Sequence, residues 1–94
     1  MAARVISIEG GGSDTGWLMR VTVADRTTTT HTVRISRAEH ERYGGGEVTD
    51  LVRRSFEFLL ERETNTSILR EFDLGAIERY FPEYATVIHS REKR

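Results

Sequence analysis

The sequence predicts a single α+β domain, in which a three-stranded antiparallel β-meander precedes three or four α-helices packed on one face. Hydrophobic and polar residues alternate over the first third of the chain, as they do in half-buried strands. Turn-like segments rich in glycine and threonine separate the alternating stretches. The second half has the hydrophobic period of amphipathic helices. We assign residues 4–36 to the meander, residues 37–90 to the helical part and residues 91–94 to a charged tail.

The strands are placed by this alternation. The segments RVISIE, WLMRVTVA and HTVRIS each carry hydrophobic side chains at every second position, so that one face of each strand lies on the core and the other faces solvent. The side chains predicted to face the core are Ile6, Ile8, Trp17, Met19, Val21, Val23, His31, Val33 and Ile35.

Capping residues mark the first two predicted helices. Ser36 and Glu39 have the spacing of a capping box, and three glycines that begin at Gly44 end the short helix. Thr49 is the predicted N-cap of a central helix that runs to Glu63. The apolar arc of this helix is wider than the roughly 100° stripe of an ordinary surface helix. The sheet covers one side of it, and either the C-terminal helices or a second copy of the protein covers the other.

The C-terminal segment is predicted to be helical. One helix begins near Thr66 or Ser67 and continues through Phe72. Asp73 is the predicted N-cap of the next helix, and Pro82 ends that helix and starts the last one.

The composition argues against several classes of protein. The chain has 14 Lys and Arg residues against 15 Asp and Glu residues and a net charge of −1, whereas strong non-specific nucleic-acid binding usually requires a basic excess. The absence of cysteine excludes disulfides and thiolate metal sites. There is no recognisable secretory signal and no apolar run near the roughly 20 residues of a membrane helix. We therefore expect a cytoplasmic protein with no membrane partner.

The sequence predicts no catalytic, cofactor-binding or metal-binding residues. His31, His40 and His89 lie far apart and lack metal-motif spacing, and His31 is expected to be a histidine at the edge of the core with a hydrogen-bond partner. Carboxylates such as those of Glu57 and Glu61 lie on the polar face of the central helix, where they are solvated. The segment GGGSDTG lacks the lysine of a phosphate-binding loop and leads into a strand.

A polar surface of the sheet is the first candidate binding surface. Arg20, Thr22, Thr32 and Arg34 occupy the solvent parity of their strands and stand together if the strands pair in simple register. Such a surface suits a peptide edge or a nucleic-acid backbone.

An apolar patch near Phe58, Tyr80 and Tyr84 is the second candidate surface. Exposed apolar patches of this kind mark protein–protein interaction sites.

The segment TVRIS, followed by a short helical stretch and VTDLVRRSFEFLLERE, resembles the ribbon-helix-helix DNA-binding module over residues 31–63. In that family two copies intertwine, and polar side chains of the paired strands enter the major groove. The resemblance implies that Thr32, Arg34 and Ser36 read bases and that the helix start near Thr49 grips phosphate.

A second resemblance covers residues 51–84. The segments LVRRSFEFLLERE, SILREFDL and IERYFPEY resemble signature segments of a family of short bacterial and archaeal proteins with no assigned function. This family implies no catalytic or binding residue.

The sequence therefore predicts a small cytosolic, non-enzymatic accessory or interaction protein, whose partner is another protein or a second copy of itself. The alternative is a dimeric ribbon-helix-helix-like DNA-binding regulator or antitoxin. A third possibility is an enzyme whose site forms only on oligomerisation.

Overall fold

A four-stranded mixed sheet with helices packed against it forms the described part of the chain. The structure is a computed structural model that describes residues 4–92, with side chains described for residues 4–90. The strands are β1 (Val5–Ser13), β2 (Gly16–Ala24), β3 (Thr28–Ser36) and β4 (Glu71–Asp73). The helices are α1 (Arg37–Arg42), α2 (Val48–Leu60), α3 (Ala76–Tyr80) and α4 (Tyr84–Glu92), and a 3₁₀ turn spans Asn65–Ser67.

The predicted antiparallel meander is present in β1, β2 and β3, which pair in that order. Ser13 pairs with Gly16, so a two-residue turn joins β1 to β2. Gly16 has a φ of 151°, and a Cβ at this position would clash with the Ile35 carbonyl oxygen. Only glycine accommodates this backbone conformation and this close approach.

The side chains predicted to face the core lie on one side of the sheet. Those from β2 and β3 are buried, apart from the half-buried Trp17. Ile6 and Ile8 of β1 are half-buried and pack against the same core. The period-two alternation therefore identified the inner face correctly in all three strands.

The helix predicted over residues 66–72 is wrong, because this segment forms a 3₁₀ turn and then strand β4. β4 pairs in parallel with β3. The Thr32 amide donates to the Arg70 carbonyl at 2.7 Å, and the Leu74 amide donates to the Arg34 carbonyl at 2.9 Å. The backbone groups on this edge of β3 would otherwise lack partners, and satisfying them outweighs the helical preference of a short segment.

The buried side chain of Asn65 holds the 3₁₀ turn in place. Its amide nitrogen donates to the Thr27 carbonyl at 2.7 Å and to the Thr29 hydroxyl at 3.0 Å. These bonds tie the turn to the β2–β3 connection and to the start of β3, and the chain continues from the turn into β4.

Two predicted N-caps are wrong. The N-cap of α2 is Glu47, which makes no side-chain capping bond, instead of Thr49. Asp73 lies in β4, where its carboxylate binds Arg34, and α3 begins later with Gly75 as its N-cap. Asp73 does not cap α3 because its carboxylate binds the Arg34 guanidinium of β3.

Helix α2 ends at Leu60, three residues before the predicted end at Glu63. The amides of Arg62 and Glu63 both turn back to the Leu59 carbonyl, each at 2.9 Å. Glu63 therefore lies beyond the C-terminal end of α2, and its carboxylate is not part of the polar face of that helix.

The capping box of α1 and the last helix agree with the sequence prediction. The Glu39 amide donates to the Ser36 hydroxyl at 3.0 Å, and the Ser36 amide donates to the Glu39 carboxylate at 2.9 Å. The predicted charged tail of residues 91–94 is shorter than expected, since α4 continues through its first two residues. Residues 93–94 lie outside the described part of the chain.

Helix α2 is covered from two directions by its own chain. It packs against the sheet on one side and against α4 on the other. The Ser55 hydroxyl lies 2.6 Å from the Tyr84 hydroxyl, and Arg54 donates to the Ile88 carbonyl at 3.2 Å. The sequence left open whether the C-terminal helices or a second copy of the protein covers the second side of α2. In the structure, a C-terminal helix, α4, covers it.

Candidate functional site

The register places the four predicted polar surface residues on the outer face of the sheet. Arg20 lies directly opposite Thr32, while Thr22 and Arg34 are two pairs away on either side, on the same face of the sheet. Arg20 forms an ion pair with Glu9 at 3.2 Å. The face is therefore a mixed-charge surface and not a basic patch.

Arg34 joins β3 to β4 on this face. Its guanidinium binds the Asp73 carboxylate at 2.8 Å and the Glu71 carboxylate at 2.6 Å. The hydrogen bonds to Asp73 and then to Glu71 raise the pKa of Arg34. Two carboxylates compensate this cation, which leaves it poorly placed to bind phosphate.

β3 lies inside the sheet, between β2 and β4. The ribbon-helix-helix resemblance implies a strand that pairs with its copy in a second chain, and such pairing needs a free strand edge. Ser36, one of the implied base-reading residues, is engaged in the α1 capping box. Thr32 and Arg34 lie in the stretch of β3 that β4 covers. In this chain the implied DNA-reading edge is occupied.

Phe58 and Tyr84 are not on the surface, contrary to the prediction of an apolar patch. Both are fully buried, with ring centroids 5.3 Å apart. Phe58 also packs on Phe81 and beneath the Arg62 guanidinium, which lies 3.7 Å from its ring. Burial raises the pKa of the Tyr84 hydroxyl above its ordinary value. Of the three predicted residues, only Tyr80 is exposed, with 68% of its surface accessible.

Tyr80 borders an apolar groove, which we call the α3 groove, between the end of α2, the segment before β4, and α3. Its cavity volume is about 210 Å³. The buried residues of its floor are Leu59, Ile68, Phe72 and Ile77. The more exposed residues of its rim are Glu63, Ser67, Leu69, Ala76, Tyr80 and Phe81.

Two large apolar side chains on the rim face solvent. Leu69 is 49% exposed and Tyr80 is 68% exposed. Single exposed apolar residues are ordinary on protein surfaces, but a contiguous apolar depression with exposed apolar walls is typical of a binding site.

Among the residues that the structure describes, Glu63 is the only carboxylate that lines the α3 groove. Its side chain is half-buried, and burial raises its pKa. Among the described residues, no hydrogen-bond donor and no cation contacts this carboxylate. An apolar groove with one uncompensated acidic group at its edge can bind an apolar group that carries a hydrogen-bond donor or a positive charge.

One wall of the α3 groove is anchored by His31, which the sequence predicted as a histidine at the edge of the core with a hydrogen-bond partner. His31 is fully buried, and its Nδ1 lies 2.8 Å from the Leu69 carbonyl oxygen. Its Nε2 lies 2.8 Å from the Thr29 hydroxyl. Because a carbonyl only accepts, Nδ1 carries the proton and Nε2 accepts from Thr29. The predicted hydrogen bonding of His31 is confirmed, and the residue lies deeper than the core edge expected from the sequence.

A wider cleft of about 480 Å³ lies near the β1–β2 turn, but its charged groups already have partners. Arg34 and Asp73 bind each other across it. Glu39 completes the α1 capping box and also accepts from the Gly75 amide at 2.9 Å. These groups hold α1, β3 and β4 together, so the cleft offers less to a ligand than the α3 groove.

Among the side chains of residues 4–90, no group of three metal-ligating residues converges. No helix within residues 4–92 is long and apolar enough to cross a membrane. His89, one of the three histidines considered from the sequence, lies with its Nε2 2.6 Å from the Arg42 carbonyl oxygen. It joins α4 to the end of α1.

The α3 groove was missed at the level of sequence because its wall was predicted as a helix. The available signal was the segment TNTS, whose short hydroxyl and amide side chains compete with helical backbone bonds. A turn there would have placed Leu69 on an extended segment beside the sheet.

Comparison of the chain with protein-family models, with curated proteins and with solved structures found no match. The two family resemblances therefore remain predictions.

Proposed function

We propose that the chain is a small non-enzymatic interaction protein, and that its α3 groove binds an apolar side chain of a protein partner. The observation that carries this proposal is the pairing of a buried apolar floor with two exposed apolar rim residues, Leu69 and Tyr80. A hydrophobic side chain entering the groove would cover both of them.

The size of the groove supports a side chain as its occupant. Pockets that enclose drug-sized ligands measure roughly 300–1,000 Å³, whereas the α3 groove measures about 210 Å³. One or two partner side chains match this volume better than a whole small molecule. Anchor residues of this kind supply most of the binding energy in many protein interfaces.

The construction of the groove also supports binding with little rearrangement. Its floor belongs to the same buried cluster as the sheet and α2. Its Leu69 wall is fixed by the hydrogen bond from His31. A site held by such contacts loses little conformational entropy when a partner binds.

The test is selection of a random peptide library on the immobilised protein, followed by affinity measurements on synthetic peptides. The matched variants are Leu69→Ser in the groove and Leu18→Ser on the outer sheet face, since the two leucines are 49% and 55% exposed. We expect Leu69→Ser and Tyr80→Ser to weaken binding by roughly tenfold or more, as loss of an interface anchor does. Leu18→Ser should leave the affinity unchanged.

The proposal fails if the selected peptides bind Leu69→Ser and Tyr80→Ser as tightly as the unaltered protein, or if no peptide is enriched. It also fails if Leu18→Ser alone reduces binding, because the outer sheet face would then be the interaction surface.

A further inference from the structure

Glu63 has an unusual position for a charged side chain. It follows the last turn of α2, where its amide is bonded to the Leu59 carbonyl at 2.9 Å. Its side chain lines the α3 groove, whose floor is made of aliphatic and aromatic residues. A carboxylate beside apolar surface is poorly solvated, and a charged group in such a place is normally paired.

The nearest basic residue in sequence is committed elsewhere. The Arg62 guanidinium binds the Phe58 carbonyl at 3.1 Å and the carboxylates of Glu61 and Glu83 at 3.2 and 3.3 Å. It also lies over the Phe58 ring. None of these contacts extends to Glu63, and no lysine or arginine is among the described residues that line the groove.

We infer that the partner segment carries a lysine or arginine beside its apolar anchor, and that the Glu63 carboxylate binds this cation at the rim of the groove. The inference rests on the proposed function, because the apolar anchor brings the segment to the site. Charge complementarity selects this occupant: among the described residues, the groove has one uncompensated negative group and no positive one. An acidic segment would place two carboxylates together in a partly desolvated site, which is unfavourable.

The geometry of a bound segment allows both contacts. In an extended segment, side chains two residues apart lie on one face, and in a helical segment side chains three or four residues apart do so. The anchor and the basic residue at such a spacing would reach the floor and the rim together. The burial that raises the pKa of Glu63 also excludes part of the solvent that weakens an exposed ion pair.

The experiment uses the full chain and synthetic peptides from the library selection. Each peptide is compared with a version in which its basic residue is replaced by glutamine, and both are titrated against the unaltered protein and the Glu63→Gln variant. Glu57→Gln is the matched control, since Glu57 is an exposed carboxylate on α2 outside the groove. Fluorescence anisotropy gives the affinities.

We expect the selected peptides to be enriched in apolar residues followed by Lys or Arg. Replacing the basic residue should weaken binding to the unaltered protein by roughly tenfold, as loss of a charge-assisted contact does. The same replacement should have little effect on binding to Glu63→Gln, and Glu57→Gln should behave like the unaltered protein. A Glu63→Lys variant should regain affinity for a peptide whose basic residue is changed to glutamate.

The inference is overturned if the selected peptides show no basic enrichment, or if the replacement weakens binding equally in the unaltered protein and in Glu63→Gln. Either result leaves the groove itself as the binding site, provided that Leu69→Ser still weakens binding by roughly tenfold or more. Loss of the dependence on Leu69 would remove the proposed function as well.

Discussion

His31 donates a hydrogen bond from Nδ1 to the carbonyl oxygen of Leu69 at 2.8 Å, across 38 positions of sequence. The bond joins the buried face of β3 to the wall of the α3 groove. Its other nitrogen accepts from Thr29, whose hydroxyl oxygen accepts in turn from the Asn65 amide at 3.0 Å. A continuous hydrogen-bonded chain thus runs from the 3₁₀ turn through the core to the groove, and each member positions the next.

Replacing His31 by leucine is expected to destabilise the protein by about 2–4 kcal/mol, since the buried Thr29 hydroxyl and the partly buried Leu69 carbonyl both lose a partner. Urea denaturation measures this change. Thr30→Val, at an exposed position of the same strand, is the control and should change stability by less than about 0.5 kcal/mol. Equal stabilities of His31→Leu and the unaltered protein would show that the network is not needed for folding.

The stability of the protein should fall with decreasing pH because of His31. Burial lowers the pKa of its imidazole below the ordinary value of 6.5, so the folded state binds a proton less readily than the unfolded state. Above about pH 6.5 the His31 imidazole is neutral in both the folded and the unfolded state, and its contribution to the free energy of unfolding is complete. As the pH falls below that value, the unfolded chain takes up a proton first, and the free energy of unfolding decreases until the folded pKa is passed.

Urea titrations between about pH 7.5 and pH 5 would measure this dependence, with His31→Gln as the non-titrating reference. The unaltered protein should lose more stability over this interval than the variant does. Parallel pH profiles for the two proteins would mean that His31 does not account for the dependence.

The first three strands and α2 could be predicted from the sequence because their periodic patterns depend on one property, which is the side of each element that faces the core. His31 illustrates this, since its strand parity alone placed it inside. Its partner Leu69 could not be predicted in the same way. The pairing of β4 with β3 joins residues almost forty positions apart, and the hydrophobic pattern around Leu69 also fits a helix.

Arg34 is expected to hold β4 to β3. Removing its bonds to Glu71 and Asp73 by Arg34→Ala should let β4 open more often, so the Thr32 and Leu74 amides should exchange hydrogen faster. Arg20→Ala is the matched control, because its ion pair with Glu9 spans β1 and β2. Arg20→Ala should leave the exchange of both amides unchanged. Added salt should speed exchange in the unaltered protein by screening Arg34, and should have little effect on exchange in Arg34→Ala.

Unchanged exchange at Leu74 in Arg34→Ala would mean that backbone bonds alone secure β4. If Arg34→Ala weakened the binding of duplex DNA with a steep salt dependence, the outer sheet face would be a nucleic-acid surface after all.

The burial of Phe58 and Tyr84 marks another limit of sequence reasoning. Helical spacing placed Phe58 on the wide apolar arc of α2, but spacing does not say which part of such an arc a later helix will cover. Tyr84 can be buried in the core because its hydroxyl group forms a hydrogen bond with the Ser55 hydroxyl, at 2.6 Å. Tyr80, four residues earlier, has no such partner and lies on the outer side of α3.

Phe56→Ala should destabilise the protein by about 3–5 kcal/mol, the usual cost of deleting a buried aromatic ring. The Phe56 ring is fully buried and packs against His31 and Phe72, with centroids 5.4 and 6.1 Å away. Tyr80→Ala, which removes an exposed ring, should change stability by less than about 0.5 kcal/mol. Thermal or urea denaturation of both variants tests the assignment of core and groove, and similar losses in the two would contradict it.

The protein should be a monomer in dilute solution, because α4 and the sheet already cover the apolar arc of α2 and no second copy is needed to complete the core. Light scattering across a dilution series at micromolar concentrations should therefore give the mass of one chain, 10.8 kDa. A dimer that persists at the lowest concentration would contradict this. In that case Leu69→Ser should be measured next, since loss of the dimer in this variant would make a second copy the occupant of the α3 groove, and persistence of the dimer would place the contact elsewhere.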